Sequence, residues 1–232
     1  MKKSLLRKTQ ERIFKLVADK YPEVYLVGGT AISFRYNHRI SEDLDFFTQN
    51  YTQKLHRGIV ATITWETGYK HTLVAEETRN QYLNMAVYEF RITKDLSLKI
   101  DFVSDYVKLI EPNNKDGMAS ITDIYYRKLL AVTGWNSRVS VVGGKLAGGR
   151  QKTKDLFDVF TLSGRVELLS EWFPKFADRG AYERLVSWYL AVPKQKTIME
   201  LLDLAPGCDT RAIFTHLDGE IIHKLNRKFV DA

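Results

Sequence analysis

Residues 25–47 of the chain, YLVGGTAISFRYNHRISEDLDFF, decide the fold that we expect. The β-rich run Val24–Val27 ends at two glycines, and Thr30–Tyr36 then has a composition that suits a helix. After a short turn, Leu44–Phe47 is a second β-rich run. A strand, a glycine pair, a short helix and a strand in this order predict the beginning of a mixed α/β unit.

The glycine pair has two explanations. Two glycines between a strand and a helix allow the backbone to approach a phosphate closely, and the start of the helix presents free N–H groups and the positive end of its dipole. An ordinary tight turn would also explain Gly28 and Gly29. For the pair taken alone, we favour the turn.

The acidic pair Asp43 and Asp45 lies at the start of the second strand. Residues i and i+2 of a strand point to the same face, so the two carboxylates converge while Leu44 and Phe46 face the core. Adjacent carboxylates repel each other unless a cation lies between them, and Mg²⁺ prefers oxygen ligands. A solvated edge strand with two surface acids is the alternative, and it is the preferred explanation for an isolated Asp-x-Asp.

A third acid, Asp101, changes that preference. It lies in the later predicted strand Leu96–Val103, between two apolar residues. If this strand lies beside the strand of Asp45, three carboxylates cluster. Such a trio holds two metal ions for in-line phosphoryl transfer, so Asp101 favours a metal site.

The rest of the chain predicts a sheet followed by helices. The polar segment Glu111–Gly117 is the best boundary, and we expect domains at residues 1–116 and 117–232. The other expected elements are a helix over Ser4–Tyr21, a hairpin formed by Leu73–Glu77 and Tyr82–Ile92, and helices over Ile121–Thr133, Lys154–Ser163, Val166–Phe176, Ala181–Ala191, Lys194–Ala205 and Thr210–Phe229.

Composition narrows the class of protein. The chain has 232 residues and a formal net charge of +7, which favours a polyanionic partner. A single cysteine, Cys208, forms neither an internal disulfide nor a cysteine cluster for zinc, which indicates a reducing cytoplasm. No apolar run is long enough to span a membrane, and the basic start lacks the apolar core of a signal peptide. We therefore expect a cytoplasmic protein without a membrane partner.

Taken together, the glycine pair, the short helix, the Asp-x-Asp strand and the later strand aspartate resemble the polymerase-beta-like nucleotidyltransferase superfamily. Within it, residues 25–32 and 38–47 are similar to the AbiEii/AbiGii toxin family, as are Asp123–Ala131 and Lys154–Val159. The resemblance covers about residues 24–162. It implies an α+β fold, in which a nucleotidyltransferase mixed-sheet core is followed by a C-terminal helical domain.

The resemblance also implies roles for individual residues. It implies that the triphosphate is held by Gly28, Gly29 and Thr30. It also implies that the metal is bound by Asp43, Asp45 and Asp101. Asp101 would serve as the third ligand or as a general base.

Three further residues have implied roles beside plainer explanations. Lys128 would reach the phosphates from the helical half, or is a surface lysine on an amphipathic helix. Asp155 would be a further catalytic or binding acid, or a first-turn acid that the helix dipole favours. Arg39 would orient Asp43 or bind phosphate, or is only a turn residue.

A reaction, a cofactor and partners follow from the same resemblance. A nucleoside monophosphate would pass from an NTP to a hydroxyl with Mg²⁺ or Mn²⁺ as cofactor, and the acceptor would be RNA, in particular the 3′ end of tRNA. The protein would act in phage defence as the toxin of a toxin–antitoxin pair, whose antitoxin acts without a stable complex. Its charge alone gives the basic loop Lys145–Lys154 two explanations, a contact with nucleic acid or simple solvation.

Two alternatives to this function stay open. One is a transferase that modifies a small molecule or a protein. The other is a module without catalytic activity that binds nucleic acid or an antitoxin. The intact Asp43, Asp45 and Asp101 argue against the second alternative, because an inactive site has no reason to keep three acids.

Overall fold

The computed structural model describes residues 2–80, 83–112, 116–134 and 152–230. The chain divides into two compact units, residues 1–124 and 125–232. This division falls later than the boundary expected after Asp116, and the predicted domain bounds stay a prediction. Most of the predicted basic loop, with Lys145 and Arg150, lies outside the described residues.

The first unit is built on a five-stranded sheet whose strand order is β1-β2-β5-β4-β3. Strands β2 and β5 pair in parallel, and the other neighbours pair antiparallel. In chain order the elements are α1 (Lys2–Lys20), β1 (Tyr25–Val27), α2 (Gly28–Tyr36), β2 (Asp43–Thr48), α3 (Gln53–Thr67), β3 (Lys70–Asn80), β4 (Leu83–Thr93) and β5 (Leu96–Ser104).

The two faces of the sheet differ in chemistry. In β2, Leu44 and Phe46 are buried while Asp43 and Asp45 are half-buried, which is the alternation that a pleated strand imposes. The buried residues face the side that helix α3 covers, where the His56 ring stacks on Phe102 at 6.1 Å between centroids. The aspartates therefore point to the opposite, more open face.

Helix α3 was not predicted from the sequence. It is rich in Thr, Ile and Val, which favour strands over helices, and this composition hides the helical period. Its ends carry standard signals, because the Thr52 hydroxyl accepts a hydrogen bond from the Leu55 N–H and Gly68 ends the helix with a φ of 73°. The predicted hairpin is present as β3 and β4, although Gln81 and Tyr82 lie outside the described residues.

The second unit is helical where the structure describes it. Helix α4 (Ile121–Thr133) begins in the first unit and continues into the second. The later helices are α5 (Thr153–Arg165), α6 (Leu169–Trp172), α7 (Arg179–Leu190), α8 (Lys194–Leu204), α9 (Thr210–Leu217) and α10 (Leu225–Phe229). A sheet unit together with a helical unit confirms the predicted α+β class.

Two of the predicted helices differ from the structure. The single helix expected over Val166–Phe176 is replaced by α6 and a 3₁₀ turn at Phe173–Lys175, where Pro174 has no N–H to continue an α-helix. The helix expected over Thr210–Phe229 contains a π-helical segment, Asp218–Lys224, between α9 and α10. Of the helices in the described residues, none has the length and apolar character needed to cross a membrane.

Candidate active site

The three aspartates singled out by the sequence lie on two neighbouring strands. Asp45 of β2 is the direct register partner of Asp101 of β5, and Asp43 is the partner of Lys99. Register partners in a parallel pair point to the same face, and residues two apart in one strand share that face. Asp43, Asp45, Asp101 and Lys99 therefore form a two-by-two block on the open face of the sheet.

Lys99 contributes a positive charge to this block. Its Nζ lies 2.6 Å from Oδ2 of Asp101. Burial alone would lower the pKa of Lys99, but its hydrogen bond to Asp101 and the negative charge of that residue outweigh burial. The charges of Asp43 and Asp45 act in the same direction, so the pKa of Lys99 is raised above its usual value. One ammonium group thus lies within the field of all three carboxylates.

The backbone of β2 is held in place from two helices. The Thr30 hydroxyl of α2 donates to the carbonyl oxygen of Asp43. The buried Gln10 amide of α1 donates to the carbonyl oxygens of Ser41, at 3.0 Å, and Asp43, at 3.3 Å. The Ser41 hydroxyl also donates to Oδ1 of Asp43, at 3.2 Å. Thr30 is fully buried and positions Asp43, and its predicted role at the triphosphate stays a prediction.

The glycine pair forms the first turn of α2, directly beside the acids. Gly28 has a φ of 72°, and a Cβ atom there would collide with the carboxylate of Asp45. A Cβ atom at Gly29 would collide with the guanidinium of Arg39. Val27, the N-cap residue of α2, makes no side-chain hydrogen bond to the first turn. The positive end of this helix therefore lies next to Asp45 and carries no side-chain cap.

Arg39 is more than a turn residue, because its side chain is buried against Gly29. Its guanidinium donates to the carbonyl oxygen of Ile40 at 3.1 Å, and its own carbonyl accepts from the Ser33 hydroxyl at 2.7 Å. These contacts tie the turn after α2 to the first turn of that helix. The roles predicted for Arg39, orienting Asp43 or binding phosphate, stay predictions.

The donor set of the open face fits a hard divalent cation. Three carboxylates on adjacent strands supply the oxygen ligands that Mg²⁺ and Mn²⁺ prefer. Among the described residues, no three His, Cys, Asp or Glu side chains are already arranged around a common metal position. The Lys99 ammonium engages Oδ2 of Asp101. The fit rests on ligand chemistry and register, and the metal roles of these residues stay predictions.

A second charged cluster lies within the helical unit. Lys128 of α4 places its Nζ 2.9 Å from Oδ1 of Asp155 and 2.8 Å from Oδ2 of Asp158, both in α5. The Lys128 side chain is 4% exposed and both aspartates are fully buried. Lys128 is therefore not a surface lysine. The catalytic or binding roles implied for Lys128 and Asp155 stay predictions.

Sequence reasoning assigned no site role to Lys99, Asp158 or Gln10. Lys99 could have been found, because it lies two positions before Asp101 and therefore shares its face. Asp158 shares a helix face with Asp155, but its contact with Lys128 depends on how α4 and α5 pack. No sequence signal indicates Gln10, whose amide reaches β2 across more than thirty residues of chain.

Comparison with known proteins gives the following similarities. The sequence model of the family described as "Nucleotidyl transferase AbiEii toxin, Type IV TA system" matches residues 16–179. The crystal structure of JHP933 from Helicobacter pylori has a TM-score of 0.58 and 21% identity, over 97% of this chain and 94% of that chain. A candidate nucleotidyltransferase from H. pylori has a TM-score of 0.56 and 19% identity, over 95% of this chain and 93% of that chain. No curated protein sequence matches significantly.

Proposed function

This chain belongs to the AbiEii nucleotidyl transferase toxin family, and we propose that it transfers a nucleoside monophosphate from an NTP to a hydroxyl group of RNA, releasing pyrophosphate. Membership of the family makes the chain a nucleotidyltransferase. The finer parts of the proposal are the metal dependence, the residues of the site and the acceptor, which we take to be the 3′ end of tRNA.

The observation that carries the proposal is the register of β2 and β5. It sets Asp45 beside Asp101, with Asp43 one pleat away on the same face. We assign Asp43 and Asp45 as ligands of Mg²⁺ or Mn²⁺ and Asp101 as third ligand or general base. A bound divalent cation would neutralise charge on the triphosphate and activate the acceptor hydroxyl.

The first turn of α2 supports the choice of a triphosphate substrate. Its N–H groups at Gly28 and Gly29 carry the positive end of the helix dipole, and Gly28 touches Asp45. A phosphate held by this turn would lie next to the carboxylates. Gly28 has no Cβ atom, and one placed there would collide with the Asp45 carboxylate.

Thr30, Gln10 and Ser41 act on the reaction through Asp43. The Thr30 hydroxyl and the Gln10 amide donate to the backbone carbonyl oxygen of Asp43, and the Ser41 hydroxyl donates to its Oδ1. A ligand that is already held loses little freedom when it binds substrate, which is the advantage of preorganisation. We therefore treat these three as positioning residues.

The biological role that we propose is that of a toxin. The family model names a type IV toxin–antitoxin system, which implies an antitoxin as partner. In our proposal the antitoxin opposes the activity without forming a stable complex with this chain. The net charge of +7 supports RNA over a small neutral acceptor.

The direct test is transfer of label from each of the four NTPs to total RNA. Purified protein, Mg²⁺ or Mn²⁺ and one α-labelled NTP at a time are incubated with RNA, and the labelled product is sequenced. Labelled tRNA 3′ ends would support the whole proposal. Label in other RNA would correct the acceptor, and label in protein or a small molecule would favour the alternative transferase. No label from any NTP with any acceptor would contradict the proposed reaction.

A further inference from the structure

We propose that Lys99 is the internal counter-ion of the metal site: it holds the Asp101 carboxylate in the metal-free protein and is displaced when a divalent cation binds. The inference rests on the proposed function, because it assumes that Asp43, Asp45 and Asp101 take a metal. It adds a positioning role for a residue outside the ligand set. It also predicts that the metal and Lys99 compete for one carboxylate.

The position of Lys99 follows from strand geometry. It lies two residues before Asp101 in β5 and is the register partner of Asp43 in β2, so it occupies the fourth corner of the two-by-two block. Its Nζ contacts Oδ2 of Asp101 at 2.6 Å, which is a strong charge-assisted hydrogen bond. A metal ion that takes Oδ2 of Asp101 as ligand competes with this ammonium group for the same oxygen.

In the metal-free protein, the charge of Lys99 offsets the repulsion among the three carboxylates. Three carboxylates on adjacent pleats repel one another, and a cation among them offsets that repulsion. A lysine provides one positive charge on a flexible stem, whereas a divalent cation provides twice the charge at shorter distances. The lysine therefore stabilises the cluster in the absence of metal and is the weaker competitor in its presence.

The exposure of the two partners makes the exchange feasible. The Lys99 side chain is 49% exposed, whereas that of Asp101 is 11% exposed. The ammonium group leaves Asp101 by rotating into solvent, where it is hydrated at little cost. Asp101 has no comparable freedom, because it lies inside the sheet between β2 and β4. The exchange thus moves the lysine and leaves the ligand in place.

The test measures Mn²⁺ affinity without nucleotide, by the electron paramagnetic resonance signal of free Mn²⁺. Lys99→Met removes the competing ammonium group, and we expect it to bind Mn²⁺ about tenfold more tightly than wild type. Lys99→Arg keeps a competing cation and should stay within about twofold of wild type. Without metal, Lys99→Met should have a lower Tm than wild type and gain more from added Mn²⁺.

A matched control separates local competition from a general loss of positive charge. Arg91 of β4 is the register partner of Ser97, so it lies on the same face of the sheet but further from Asp101. Arg91→Met removes the same charge and should leave Mn²⁺ affinity within about twofold of wild type. Equal gains in Arg91→Met and Lys99→Met would overturn the competition.

Failure of the inference is distinguishable from failure of the proposed function. If wild type binds Mn²⁺ and Asp45→Asn does not, the metal site stands. Unchanged or weaker Mn²⁺ binding by Lys99→Met then overturns the role of Lys99 alone. If wild type binds no Mn²⁺ and transfers nucleotide equally well with and without divalent cations, the metal site and the counter-ion role are both overturned.

Discussion

The carboxylate of Asp45 occupies the space that a side chain at Gly28 would need. Strand β1 leads directly into α2 through Gly28, whose φ of 72° is unfavourable for residues with a Cβ. The backbone of the helix N-terminus and the acid of β2 are therefore in direct contact. This contact is the structural basis for a combined phosphate and metal site.

We expect Gly28→Ala to lose most of its transferase activity, because the added methyl group displaces the Asp45 carboxylate. The control is Gly68→Ala. Gly68 has nearly the same backbone conformation, with a φ of 73°, but a Cβ there meets no atom within 4 Å. Both substitutions should lower stability by about 1–2 kcal/mol through backbone strain alone. Equal activity of the two variants in the labelled-NTP assay would contradict the proposed role of the contact.

Asp45→Asn should leave the fold intact, because the amide keeps the shape of the side chain. It should lower the rate of transfer by more than about a hundredfold, because the amide lacks the charge that binds a divalent cation. Label incorporation measures the rate, and circular dichroism checks the fold. Asp95→Asn is the matched control, since Asp95 is exposed in the turn between β4 and β5. Normal incorporation by folded Asp45→Asn protein would exclude this site.

The sequence was sufficient to predict the local elements of the site. The i, i+2 spacing of Asp43 and Asp45 predicted a shared face, and the alternating burial of β2 agrees with it. What the sequence could not supply was the neighbour of β2. The partner of Asp45 lies 56 residues later in the chain, counted from 45 to 101, and it pairs in parallel after the β3–β4 hairpin has intervened. Only the family resemblance indicated that pairing.

The charged cluster of the helical unit shows the same limit. Asp155 and Asp158 are three residues apart and therefore share a helix face, but the sequence did not show that Lys128 would contact both of them. Helix propensity also failed for α3, where residues that favour strands form a helix because its buried face packs on the sheet. Both cases depend on contacts between distant segments, which local patterns do not encode.

Replacing Lys128, the buried cation that pairs with Asp155 and Asp158, should strongly destabilise the protein. Lys128→Met leaves two buried carboxylates without their ammonium partner, and we expect a loss of about 3–5 kcal/mol in the free energy of unfolding. Urea unfolding measures the loss. A triple variant that adds Asp155→Asn and Asp158→Asn removes the two carboxylate charges that Lys128 offsets and should recover most of the stability.

The same triple variant tests the role that the family resemblance implies for Lys128. A lysine that neutralises the triphosphate cannot be replaced by an uncharged residue without weakening nucleotide binding. Wild-type nucleotide affinity and rate in a folded triple variant would leave Lys128 with a structural role only. Weakened nucleotide binding at unchanged stability would support a role for Lys128 or Asp155 in nucleotide binding, and Asp155→Asn alone would measure the contribution of Asp155.

The first unit should lose stability as the pH falls below about 6.5, because burial lowers the pKa of His56 despite the opposing charge of Glu76. A histidine with a lowered pKa takes up its proton in the unfolded chain first, so acid favours unfolding over the range between the two pKa values. The His56 ring also shares a hydrogen bond with the Tyr88 hydroxyl, at 3.1 Å. We expect the Tm of His56→Asn to change less than that of wild type between about pH 7.5 and about pH 5.

His216 requires a control in this experiment, because burial lowers its pKa as well and contributes to the wild-type pH dependence. It belongs to the helical unit, where its Nε2 lies 2.8 Å from the Ser163 hydroxyl. His216→Asn should reduce the change of Tm with pH by the contribution of His216. The double variant His56→Asn, His216→Asn should reduce that change further. An unchanged pH dependence in His56→Asn would show that His56 is protonated equally easily in the folded and unfolded chain.

RNA is the acceptor that we propose for the transferred nucleotide. An RNA contributes many phosphates, and each phosphate that the protein neutralises releases counterions, so binding should weaken steeply as salt rises. Replacing Lys145, Arg150, Lys152 and Lys154 with Ala should weaken RNA binding and lower the salt slope by about 0.7–0.9 for each phosphate that is no longer neutralised. Lys145 and Arg150 lie outside the described residues, and Lys152 and Lys154 flank the first residue of α5.

A variant with Ala at Lys2, Lys3, Lys8 and Lys15 is the matched control, because it removes the same charge from the exposed surface of α1. An equal effect of the two variants would show that the charge acts globally and not through the basic loop. A flat salt response of wild type would instead favour a transferase that modifies a small molecule. A steep slope alone does not distinguish tRNA from other RNA, because phosphate contacts position a partner without reading its sequence. Sequencing of the labelled product makes that distinction.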